Sequence, residues 1–199
     1  RVYYAFDPRI HAVPLPPLSL DPPDALHVGI DFNVDPMSAA IGVKRGGQVH
    51  VISELSIRNG NTQMLADTLR SRFPASPIVC YPDPTGASRK TAAAAGDTDY
   101  AILRRAGFQV YSPGRAYAVA DKLNTVNRAF RDASGNTRLY IDPARTKVLR
   151  KSLEGLSFVE GTSIPDPRSE HSHMTDALAY MILALLPIIG GMRRVDVIG

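Results

Sequence analysis

VGIDFNVDPMSAAIGVKRGGQVHVISEL, residues 28–55, decides how the rest of the chain is read. Val28, Ile30 and Phe32 alternate with Gly29 and Asp31, the period of a strand that buries one face. Strand-like runs follow at Met37–Lys44 and Gln48–Leu55, and Arg45-Gly46-Gly47 between them supplies the glycines of a tight hairpin turn. Three antiparallel strands are therefore expected to open the folded domain. Asp31 is out of phase with Val28, Ile30 and Phe32, which places it on the opposite face of the sheet.

Beyond residue 55 the pattern alternates between helix and strand. Met64, Leu65, Thr68 and Leu69 stand at helical spacing in Thr62–Phe73, which stops at Pro74, and Ile78–Tyr81 is an apolar strand ended by Pro82-Asp83-Pro84. A helical stretch follows at Thr98–Ala106, a strand at Phe108–Tyr111, a long helix near Arg115–Asp132 and a strand at Arg138–Ile141. Asp142-Pro143 reads as an N-cap followed by proline at the first position of a short helix. Met174, Ala177, Leu178, Met181, Ile182 and Leu185 form the apolar stripe of a last helix, closing at Pro187 and Gly190-Gly191. The fold class is α/β: a mixed sheet, three antiparallel strands then parallel ones, with helices on both faces. That order is the order of a ribonuclease H-like fold.

The 199 residues, 44% hydrophobic and 21% charged, suit one globular domain with extensions and exclude disordered and fibrous classes. Six of the 16 prolines lie in the first 24 residues, so residues 1–26 are expected to be a semi-rigid linker, 27–190 the domain and 191–199 a loose tail. The single cysteine, Cys80, excludes an intramolecular disulfide framework. No secretory signal is visible, and no apolar run approaches the ~18 residues that span a bilayer. The net charge of +4 is modest, but Arg115–Lys151 holds nine basic residues against three acidic ones. Such a segment is either a solvated helix face or a phosphate-facing patch.

Three carboxylates call for explanation. Asp31 lies inside a strand, where an ionised group is costly to bury unless it is paired or binds a metal. Asp83 stands just past a strand's C-terminal end, the place where open α/β sheets put their ligands. Asp176 lies in the first turns of the last helix, and His173, Asp176 and Tyr180 share one side of it. Each has an ordinary structural reading alone: an exposed strand residue, a turn residue, a helix-dipole charge. In a ribonuclease H-like topology the three places converge at one sheet edge. Carboxylates so gathered stay ionised only with cations among them, and a hard oxygen cluster suits Mg²⁺ or Mn²⁺. Two such ions would activate water and stabilise the leaving oxygen of a phosphodiester.

Gly29-Ile30-Asp31-Phe32, Tyr81-Pro82-Asp83-Pro84, Leu139-Tyr140-Ile141-Asp142-Pro143 and His173-Met174-Thr175-Asp176-Ala177-Leu178-Ala179-Tyr180 resemble, in this order and spacing, the C-terminal nuclease domain of the large terminase subunit of tailed bacteriophages. The resemblance covers about residues 27–188. It implies an endonuclease of ribonuclease H-like fold that cuts concatemeric double-stranded phage DNA during packaging with Mg²⁺ or Mn²⁺. Asp31, Asp83 and Asp176 would be its metal-binding triad, with His173 beside them as a ligand or proton-handling group. The partners implied are an N-terminal ATPase domain, the small terminase subunit and the portal protein, in the host cytoplasm.

The chain departs from that pattern at Asn33, where many relatives carry glycine, and it contains no G-x-x-x-x-G-K-[ST] phosphate loop. An isolated nuclease domain that does not itself hydrolyse ATP is therefore expected. Arg89, Lys90 and Lys122 are the candidate contacts to the DNA backbone. The competing readings are a junction resolvase or a ribonuclease H, which share the metal site, and a catalytically silent DNA or portal docking module.

Overall fold

The computed structural model describes residues 1–33, 35–84 and 98–188. The elements run α1 (Pro8–His11), β1 (Leu26–Asp31), β2 (Met37–Arg45), β3 (Gln48–Ile57), α2 (Thr62–Arg72), β4 (Ile78–Pro82), α3 (Asp99–Arg105), β5 (Gln109–Val110), α4 (Val119–Phe130), β6 (Leu139–Ile141), α5 (Lys147–Gly155) and α6 (Ser172–Leu185). The strands form one sheet of order β5-β4-β1-β2-β3-β6. β1, β2 and β3 pair antiparallel, whereas β4 joins β1, β5 joins β4 and β6 joins β3 in parallel. This is the mixed sheet that residues 28–55 foretell. Gly46 and Gly47 both have positive φ, +52° and +82°, and turn β2 into β3 with two residues, the geometry that matches strand twist.

The sheet has a core on each face. Val28, Ile30 and Ile41 pack with Leu65 and Leu69 of α2 and Leu103 of α3. On the other face Ala40, Val49 and Val51 meet Phe130 of α4, Leu149 of α5 and Leu178 and Met181 of α6. α5 has no side-chain cap of its own. Its first N–H groups are answered from the neighbouring strand instead, the Glu54 carboxylate accepting from Val148 N and Leu149 N at 2.8 Å each.

Two local expectations differ from the structure. Asp142 does not cap α5: its carboxylate accepts from Ala144 N at 2.9 Å, closing a turn, and the helix begins only at Lys147. At the start of α6 the Ser172 hydroxyl donates to Ser169 O at 2.9 Å and His171 holds the cap position. α4 starts at Val119 rather than near Arg115, the preceding Ala118 being extended and offering no capping side chain.

The largest difference concerns residues 1–26. Val2, Tyr3 and Phe6 are 1–2% exposed and belong to the core under α4, α5 and α6. Ala12 bridges to Ile141, and Val13 N–H donates to Ile141 O, covering the outer edge of β6. Proline density does not report burial, which the apolar residues before Pro8 decide. The tail 191–199 lies outside the described residues. None of the described helices is long and apolar enough to cross a membrane.

His11 locks this segment down. It is 1% exposed, its Nδ1 accepts from Asp7 N at 2.9 Å, and its Nε2 stands 2.9 Å from Phe130 O, which requires the proton on Nε2 and a neutral ring. Burial holds its pKa below the usual histidine value, with nearby Arg131 acting in the same direction and Asp7 against it. A depressed histidine pKa adds stability that is present above the unfolded value near 6.5 and is lost as pH falls toward the folded value. Each tenfold weakening of proton affinity in the folded state corresponds to about 1.4 kcal/mol. Chemical denaturation at a series of pH values is expected to show wild-type stability falling below about pH 6.5. A His11→Gln variant is expected to lose that part of the slope; an unchanged slope would contradict the assignment.

Candidate active site

Asp31 is the last residue of β1, 8% exposed, on the face toward α6. His173, in the first turn of α6, places Nδ1 2.9 Å from Asp31 Oδ2. The Asn33 amide nitrogen lies 3.0 Å from His173 Nε2, so with Nε2 as acceptor the ring proton sits on Nδ1 and donates to Asp31. Burial pushes the Asp31 pKa up; His173 opposes this, and the charges of Asp176 and Asp83 add to it. The hydrogen bond to Asp31 raises His173 in turn, burial pulling the other way.

Asp83 follows β4 directly. Its N–H donates to Ile30 O at 2.8 Å, prolonging the β1–β4 ladder by one residue and fixing its backbone beside that of Asp31. The Tyr180 hydroxyl, one turn beyond Asp176, is within hydrogen-bonding reach of the Asp83 carboxylate. Burial and the neighbouring carboxylates suppress its acidity. Asp176 is bound by Lys122 of α4, Nζ to Oδ1 2.6 Å, with a lysine side chain only 13% exposed and its ammonium 5.4 Å from the Tyr180 ring centroid. Asp31, Asn33, Asp83, His173, Asp176 and Tyr180 line one open cleft of about 360 Å³.

What brings two elements this close is a missing side chain. A Cβ built on Gly29 would stand 1.9 Å from Ala177 O, so α6 rests backbone against backbone on β1. The side chains of Asp176 and His173 thereby share the cleft with Asp31.

The sequence placed Asp31, Asp83, Asp176 and His173 together, and all four line the cleft. Among the described residues, however, no three His, Cys, Asp or Glu side chains are gathered around a common ion position. Asp31 and Asp176 are instead engaged by a histidine and a lysine. Lys122, expected as a contact to DNA, is turned inward onto Asp176; the rest of the basic segment is largely an exposed surface on and around α4 and α5. Arg89 and Lys90 lie outside the described residues. Sequence reasoning left Asn33, Lys122 and Tyr180 out of the metal site. Tyr180 carried a signal, its i+7 spacing from His173, whereas Lys122 reaches Asp176 across a tertiary contact that no local pattern encodes.

The family model of the terminase RNaseH-like domain matches residues 28–185. None of the curated proteins matches the chain. The large terminase of one thermophilic bacteriophage superposes with a TM-score of 0.70 at 18% identity, over 93% of this chain and 45% of its own, so the chain spans less than half the length of that relative. The P22 large terminase nuclease domain gives 0.66 at 11% identity over 94% and 97% of the two chains. The large terminase nuclease of thermophilic phage G20c with bound magnesium gives 0.56 at 13% identity over 92% and 95%. These likenesses show the ribonuclease H-like fold, and the family match, which spans most of the sequence, shows that the chain belongs to the terminase RNaseH-like domain family.

Proposed function

We propose that the chain is the metal-dependent endonuclease domain of a phage large terminase, cutting concatemeric double-stranded DNA during packaging by two-metal-ion hydrolysis of phosphodiester bonds. The observation that carries this reading is the meeting of Asp31 and Asp83, at neighbouring ends of parallel strands, with Asp176 and His173 of α6 in one cleft. The three carboxylates fit a hard divalent cation by donor type, and the magnesium bound by the G20c relative agrees with Mg²⁺ or Mn²⁺ here. Asp31, Asp83 and Asp176 would hold it. Bound there, such ions supply an activated water and neutralise the leaving oxygen.

The protein's own groups prepare the site for that chemistry. His173 orients Asp31 through Nδ1–H, Asn33 fixes the tautomer in which it does so, and Tyr180 faces Asp83. Lys122 holds Asp176 and offsets its charge. The same reading assigns a preceding ATPase domain, the small terminase subunit and the portal protein as partners in the host cytoplasm.

The test is conversion of supercoiled plasmid to nicked and linear forms with Mg²⁺ or Mn²⁺, an EDTA control, and Asp83→Ala and Asp176→Ala in parallel. Cleavage that requires metal and falls by at least about 10³-fold in both variants is expected. Cleavage of four-way junctions or RNA–DNA hybrids in preference to duplex would redirect the assignment within the fold. DNA binding without cleavage by folded protein would favour the docking module.

A further inference from the structure

Adjoining the open cleft, and sharing Pro167, Ser172 and Asp176 with it, lies a cavity of about 170 Å³ whose walls also include Tyr3, Lys122 and Thr175. Tyr3 arrives there from the opposite end of the chain. It is 1% exposed and lines this cavity together with Thr175 and Asp176, its hydroxyl interacting with the Thr175 side chain and lying in the field of Asp176. The Thr175 hydroxyl lies 3.0 Å from His171 O and 2.9 Å from Ser172 O, donating into the first turn of α6 and free to accept from Tyr3. That turn carries His173 and leads into Asp176, and no side chain caps its start.

The segment bearing Tyr3 is itself fixed from several sides. Val2 N–H donates to Leu156 O at 2.9 Å, and the Arg1 guanidinium donates to Leu153 O at 3.3 Å, both at the end of α5. Asn127 of α4 accepts from Ala5 N at 3.1 Å and donates to Val2 O at 3.2 Å. The Phe6 ring stands 5.0 Å from that of Phe130. Asn127 lies on the same helix as Lys122, so one short stretch of chain touches both elements whose side chains form the Lys122–Asp176 pair.

We propose that Tyr3 is a positioning residue of the nuclease site: through Thr175 it sets where the first turn of α6 presents Asp176 to Lys122 and to a divalent cation. This rests on the reading of the cleft as a metal-dependent nuclease. Tyr3 does not touch the reacting groups; it acts through α6.

The experiment uses the full chain, with Mn²⁺ as probe. Tyr3→Phe keeps the ring in its pocket and removes only the hydroxyl. Its melting temperature is expected to stay near that of wild type while half-saturation with Mn²⁺, followed by electron paramagnetic resonance, moves to about tenfold higher concentration. Plasmid cleavage at saturating DNA is expected to slow by about tenfold with KM unchanged. Val2→Ala trims the same segment without touching Thr175, and it is expected to lower the melting temperature and leave the Mn²⁺ midpoint in place. A wild-type midpoint in Tyr3→Phe, an equal displacement in Val2→Ala, or no Mn²⁺ binding by the wild type overturns the proposal. Mn²⁺ binding by the wild type without cleavage sinks the nuclease reading instead, and the midpoint comparison still decides the role of Tyr3.

Discussion

Asp31→Asn is expected to abolish plasmid cleavage, by about 10³-fold or more, without weakening the fold. The carboxylate is 8% exposed and lies in the field of Asp83 and Asp176, so its charge costs free energy in the metal-free protein that His173 offsets directly. An isosteric amide removes that cost and retains a carbonyl oxygen able to accept from His173 Nδ1–H. The metal-free variant should therefore melt at or above the wild-type temperature. A divalent cation that binds only the folded state raises the melting point of the wild type, and this upshift should vanish in Asp31→Asn. Calorimetry with and without Mn²⁺ reads both effects. A variant that keeps the metal-induced upshift would place the cation elsewhere, and one that melts much lower would make Asp31 a structural residue.

Gly29→Val is expected to produce the largest loss of stability of any single change discussed. Even the first carbon would meet Ala177 O at 1.9 Å, Ala177 C at 2.9 Å and Met181 Cβ at 3.0 Å, and the first two are backbone atoms with no rotamer to yield. Overpacking a core ordinarily costs about 1–3 kcal/mol, and displacing a helix backbone lies at the top of that range or beyond it. Gly42→Ala is the instructive comparison, because its new carbon would meet the flexible end of Met181 at 3.3 Å and His50 O at 3.2 Å, a milder crowding. Urea unfolding should rank the two accordingly. Where Gly29→Val still folds at low temperature, cleavage should be lost as well, since Asp31 and the α6 residues separate together. Equal stability of the two variants would show that α6 moves freely over β1.

The chemistry-bearing residues were legible because strand alternation and helix spacing are local codes. Asp31 stands out by being out of phase in a strand, and Asp176 and His173 by lying off the apolar stripe of α6. Their common cleft followed from topology. Partners across tertiary contacts were not legible: Glu54 caps a helix that begins more than 90 residues later, and Lys122 looks in sequence like any cation on a basic helix. The proline-rich start misled for a related reason. Proline reports backbone stiffness, while Val2, Tyr3 and Phe6 are buried because the hollow among α4, α5 and α6 needs filling, and that hollow exists only in three dimensions.

The sheet order also carries a kinetic consequence. β2 and β3 are joined by two residues and close at little loop-entropy cost, whereas β4 must find β1, and β6 must find β3, only after long intervening stretches have been ordered. Docking of residues 12–13 on β6 spans almost the whole chain up to that point. The cleft, drawing on β1, β4 and α6, therefore rests on the high-contact-order part of the fold, and the capacity to hold a cation is expected to arise only with the long-range pairings, not with the hairpin.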